Sequence, residues 1–167
     1  MGRLSTLRGA FLRLLNIIMH IQTYQMALAD DLVDKVLELV NIIPSAVGLS
    51  NKGGWQGVIT DQQINWVESV RRDIEQLTKK KTERFWFNVN GPGHFNDWHR
   101  HFFNCYAAVL YIDVPLNSGD IEFRQGNISK TITPEHGTLL VFPGTLDHRV
   151  LPNLSQGNRI SLSTNLV

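Results

Sequence analysis

Phe85-Trp86-Phe87-Asn88-Val89-Asn90 decides the fold class, because apolar Phe85, Phe87 and Val89 alternate with Trp86, Asn88 and Asn90 at the period of two that marks a β-strand. Downstream the same character continues. Strands are predicted at Tyr106–Asp113, Asp120–Phe123, Ile128–Thr133, Thr138–Phe142, His148–Leu151 and Arg159–Thr164, separated by turn-forming clusters such as Pro115–Gly119 and Pro152–Gly157. Upstream of Arg84 the apolar spacing is helical. Asp30 or Asp31 is placed to cap a helix from Leu32 to Ile43, where Leu32, Val33, Val36, Leu37, Val40 and Ile43 recur before Pro44 closes the run. After the glycine-rich loop Asn51–Gly57, Thr60 and Gln63 fit a capping box that opens a second helix with the stripe Ile64, Val67, Ile74 and Leu77. Lys79-Lys80-Lys81 sits where cations complement the end of that helix. A further short strand is expected within His20–Met26. Two helices followed by many short strands indicate an α+β chain whose core is a jelly roll or related barrel with the helices packed on it.

The 167 residues suit one domain over 20–167, preceded by an extension over 1–19. That extension carries Arg3, Arg8 and Arg13 and an apolar patch around Phe11 and Leu14, but Arg13 and Asn16 break the patch well short of a membrane span. With 43% hydrophobic and 19% charged residues and a net charge of +1, the composition is that of an ordinary soluble protein, bulk charge gives no support for nucleic-acid binding, and no membrane attachment is expected. A lone Cys105 excludes an internal disulfide and a cysteine-based zinc site, so a reducing, cytoplasmic compartment is expected.

Two histidines one residue apart on an extended segment, His99-Arg-His101, project to the same side and can bind one metal together. His148 follows after room for about four strands, which a barrel would fold back to the same place. Arg159-Ile-Ser161 adds a guanidinium and a hydroxyl on one face of a strand. A cation facing a barrel interior calls for an anion, and this pairing suits a carboxylate.

In this order, His-x-His, a strand ending in Tyr, Gly137-x-Leu-x-x-Phe-Pro143, a distal His and Arg-x-Ser, the sequence resembles the 2-oxoglutarate and Fe(II)-dependent oxygenases, and within them the small oxygenases of bacteria and phages. The resemblance covers the C-terminal half in detail and is weaker from Ile21 onward. It implies a double-stranded β-helix core holding Fe(II), with 2-oxoglutarate and O2 as cosubstrates and ascorbate as a supporting reductant. It implies that His99, on the first strand after the helices, and His148, on the penultimate strand, are metal ligands. Arg159, assisted by Ser161 and Tyr111, would hold the distal carboxylate of 2-oxoglutarate. The pattern breaks at His101, where most of the superfamily has Asp or Glu; His101 is the expected third ligand, with Asp97 and Asp147 as alternatives. The segment Gly91, Gly93, Phe95 and Trp98 is a candidate cover for the substrate.

Hydroxylation is the default reaction that the resemblance implies. Two other readings stay open: a cupin-like enzyme whose three histidines bind a metal without 2-oxoglutarate, and a non-catalytic barrel that binds a partner. The substrate, small molecule or protein side chain, is not legible, and a homodimer is left open.

Overall fold

Residues 19–46, 50–60 and 64–167 are described by the structure, a computed structural model. In chain order these contain β1 (Gln22–Gln25), α1 (Leu32–Ile42), β2 (Asn51–Lys52), β3 (Trp55–Val58), α2 (Asn65–Thr78), β4 (Thr82–Asn90), β5 (Phe95–His99), β6 (Tyr106–Asp113), β7 (Ile121–Gln125), β8 (Ile128–Ile132), β9 (Thr138–Pro143), β10 (Asp147–Val150) and β11 (Arg159–Leu166). Two antiparallel sheets result, one ordered β1-β9-β6-β11-β4-β3 and the other β2-β5-β10-β7-β8, the arrangement of a jelly roll.

The central strands of the six-stranded sheet, β9, β6, β11 and much of β4, are buried on both faces, and alternation assigns their residues to one or the other. Phe85, Phe87, Leu110, Leu139, Ile160 and Leu162 join Leu32, Val36 and Leu39 of α1 and Val67 and Ile74 of α2 in one apolar cluster. The opposite face meets the second sheet: Tyr111, Leu140 and Phe142 pack with Ile121 and Phe123, and Met19 and Ile21 close that end. Of the extension expected over 1–19, residues 1–18 lie outside the described residues, while Met19 is a core side chain only 1% exposed.

Several expectations change. The glycine-rich stretch is not simply a loop: β2 pairs with β5 and β3 with β4, so it supplies an edge strand to each sheet. These strands are short enough that hydrogen-bonding demand from the neighbouring edges, not side-chain pattern, makes them. Phe95–His99 is a strand as well, which places His99 on the second strand after the helices rather than the first. Its alternation is masked by a bulge, since His99 pairs with His148 but Asn96 with Val150. Asp31 occupies the N-cap of α1 without a side-chain cap bond and instead pairs with Lys35 at 2.7 Å. The capping box does not open α2, whose N-cap is Ile64; Gln63 lies outside the described residues. Leu77 of its predicted stripe is 38% exposed.

Candidate functional site

Between the sheets lies a cavity of about 520 Å³, and the histidines converge on its wall. His99 on β5 and His148 on β10 are cross-strand partners with ring centroids 4.1 Å apart. His101 lies past the end of β5, where its backbone N–H donates to the Gly144 carbonyl at 2.7 Å, tying it to the β9–β10 turn. A side chain at Gly144 would stand 2.8 Å from the carbonyls of Phe102 and Cys105, so this close approach requires glycine. His101 and His148 rings lie 5.3 Å apart and nearly parallel, and one ring nitrogen from each of the three histidines falls within 4.8 Å of the others.

The protons of two rings can be placed. His99 Nδ1 is 2.8 Å from the Asp97 carbonyl and His148 Nδ1 is 2.9 Å from the Leu146 carbonyl. A carbonyl only accepts, so both rings donate from Nδ1 and keep the Nε2 lone pair free. Burial lowers the pKa of all three, His101 to about 4 with further repulsion from His99, and His148 well below its ordinary value. The imidazoles are therefore neutral near pH 7, the form that binds metal.

Alternation along β11 turns Arg159, Ser161, Ser163 and Asn165 toward the same cavity. Arg159 is 2% exposed. Its Nη1 donates to the Ser118 carbonyl and, at 3.4 Å, to that of Leu151, whereas its Nη2 is buried without a partner. Gly119, at φ +97°, makes room for this: a Cβ there would fall 2.2 Å from the Leu151 carbonyl oxygen and 2.7 Å from Nη1. Tyr111, paired across the sheet with Ser161, is also fully buried with an unpartnered hydroxyl, as is the hydroxyl of Ser118. Burial raises the Tyr111 pKa, keeping the phenol protonated as a donor, and lowers that of Arg159. Two unpaired donors of residues lining one end of the cavity, the Arg159 Nη2 and the Tyr111 hydroxyl, leave an anion-shaped deficit.

Not every predicted residue is here. Asp97 is exposed, with its carboxylate accepting from the Trp98 backbone N–H at 2.8 Å. Asp147 pairs with Arg100 at 3.1 Å and Arg124 at 3.6 Å. Neither belongs to the histidine cluster. Trp98 is held by the guanidiniums of Arg124 and Arg149, 4.4 and 4.7 Å from its ring, and neither it nor Gly91, Gly93 or Phe95 lines the cavity. The bulge in β5 accounts for this by turning His99 inward immediately after Trp98. Conversely, Ser118, Trp86 and Asn88 were not singled out as site residues. Trp86 and Asn88 were visible as the polar half of the opening alternation, while Ser118 contributes mainly through a backbone carbonyl that leaves no sequence signal.

Among known families, residues 124–165 match the model described as "Putative 2OG-Fe(II) oxygenase". No curated protein sequence matches. By structure the chain is similar to a Pseudomonas putida prolyl-4-hydroxylase, at 20% identity and TM-score 0.68 over 87% of this chain and 91% of that one. It is also similar to a Trichoplax adhaerens prolyl hydroxylase solved with a hypoxia inducible factor peptide, at 14% identity and TM-score 0.71, covering 95% and 89%. HygX from Streptomyces hygroscopicus, solved with nickel and 2-oxoglutarate bound, aligns at 8% identity and TM-score 0.69, covering 93% and 85%. No described helix is long and apolar enough to cross a membrane. In the sequence of its C-terminal strands, and in fold over most of its length, the chain resembles the 2OG-Fe(II) oxygenases.

Proposed function

We propose that the chain is an Fe(II)- and 2-oxoglutarate-dependent dioxygenase that hydroxylates its substrate with release of succinate and carbon dioxide. One observation carries this reading: a cluster of three neutral imidazoles and an anion-deficient pocket around Arg159 share one cavity. His99, His101 and His148 would hold the iron, with the carbonyls of Asp97 and Leu146 fixing the tautomers of two of them. The Arg159 Nη2, the Tyr111 hydroxyl and the hydroxyl of Ser161 would receive the distal carboxylate of 2-oxoglutarate. Iron and 2-oxoglutarate together supply the activation of oxygen, which side chains alone do not provide. The chain's part is to orient both groups and keep water from them: Phe142 packs edge-on to the His148 ring at 4.7 Å, and Phe123 lies behind it at 6.3 Å.

Purified protein given Fe(II), 2-oxoglutarate, oxygen and ascorbate should form succinate slowly even without substrate. A cupin-like reading, in which substrate binds the metal directly, draws on one specific observation, that His101 stands where a carboxylate is usual. Persistent absence of succinate from protein shown to hold iron would favour that reading.

A further inference from the structure

The inner face of β4 borders the cosubstrate cradle, Asn88 standing opposite Ser161 across the sheet, and beyond that point it presents an ordered series of recognition groups to the same cavity. Same-face residues on a strand stand about 7 Å apart. At the mouth is Arg84, exposed, lining the same cavity as His101, and making no ion pair among the described residues. Next is Trp86, stacked on His101 with centroids 5.9 Å apart and planes at 25°. Deepest is Asn88, 5% exposed, whose Nδ2 donates to Ser163 Oγ at 3.3 Å while Oδ1 is buried with no partner. Leaving an amide carbonyl in this state is costly unless a donor fills the site in the working complex.

From this series we infer that the substrate is an organic acid that also carries an N–H or O–H donor, its carboxylate meeting Arg84 and its donor meeting Asn88 Oδ1. The inference rests on the oxygenase reading. Trp86 forms the flat floor between the two polar ends, beside His101, so the carbon presented to the histidine cluster lies between the acid and the donor. Gln56, opposite Asn88 on β3, and Val58, opposite Trp86, complete this wall with one more amide and one apolar contact. Cavities of a few hundred Å³ suit small ligands, and a carboxylate at the mouth could equally come from a free acid or from an acidic side chain of a peptide.

The test uses a panel of three- to six-carbon amino and hydroxy acids, each with its uncharged amide, and the N-acetyl N-methylamides of aspartate and glutamate as peptide surrogates. Binding is read by calorimetry in protein loaded with Mn(II) and 2-oxoglutarate. Stimulation of succinate formation is read with Fe(II), each variant being compared with its own substrate-free rate. At least one acid should bind about tenfold more tightly than its amide. Arg84→Gln should erase that preference by weakening the acid about tenfold and the amide little, and Asn88→Leu should weaken both about tenfold. Binding confined to the blocked forms would support the same chemistry with a peptide as its source. The proposal is overturned if protein that turns over 2-oxoglutarate binds no acid of the panel, if acid and amide bind equally, or if Arg84→Gln discriminates as the wild type does. Absence of succinate from iron-loaded protein before any acid is added would overturn the oxygenase reading, and the inference with it.

Discussion

Arg159→Ala tests the anion pocket most directly, because the two halves of this guanidinium do different jobs. Nη1 is committed to the carbonyls of Ser118 and Leu151, whereas Nη2 is buried without a partner. If Nη2 receives the distal carboxylate of 2-oxoglutarate, its removal deletes at least one hydrogen bond to a charged group, worth about 1.5–3 kcal/mol. That corresponds to a rise in Kd of about 10- to 150-fold. The same substitution strips a donor from two carbonyls, so the protein should also lose stability, by about 1–3 kcal/mol for each carbonyl left buried and unpaired. Calorimetric titration of 2-oxoglutarate into Mn(II)-loaded wild type and variant, below the variant's own melting temperature, separates the two effects. Metal affinity should change little, because no atom of Arg159 belongs to the histidine cluster. Unchanged 2-oxoglutarate affinity in folded Arg159→Ala, or equal loss of metal and 2-oxoglutarate, would refute the reasoning and leave Arg159 as a clamp for the Ser118 turn.

His101→Ala should weaken Fe(II) binding in anaerobic titration and His101→Asp should restore part of it, since a carboxylate completes the two-histidine arrangement favoured by Fe(II); retention of iron by His101→Ala with loss in Asp97→Ala would reverse the assignment. Metal-free protein should lose stability as pH falls from about 6.5 toward about 4, because burial lowers the pKa of His99, His101 and His148 and the unfolded chain takes up protons in that window before the folded one does. Urea unfolding at pH 7.5 and pH 5.5 checks this, and a slope no smaller in His148→Gln than in wild type would show that other groups cause it. Gly119→Ala should destabilise the fold by about 1–3 kcal/mol and weaken 2-oxoglutarate binding too, because its Cβ strikes the Leu151 carbonyl and Arg159 at a φ of +97°; a melting temperature and a 2-oxoglutarate Kd equal to those of wild type would contradict it.

What the sequence determined by itself is local: which segments extend, and which side chains share a face. Alternation follows from backbone geometry, so Phe85 and Phe87 fall on one side of β4, and Arg159 and Ser161 on one side of β11, whatever the fold around them. The match within residues 124–165 takes in Arg159 and Ser161. Tertiary structure decided which strands meet and where the pattern slips. His148 opposes His99 only through the pairing of β10 with β5, a contact between segments far apart in the chain. The bulge in β5 turned Trp98 outward, and the Gly144 carbonyl placed His101 beyond the end of its strand. The short strands at 51–52 and 55–58 exist because sheet edges needed partners, and the Arg159 guanidinium is held by main-chain carbonyls that every sequence carries. Side-chain identity encodes face and burial; hydrogen bonds between distant backbones set register, and nothing in a local pattern specifies them.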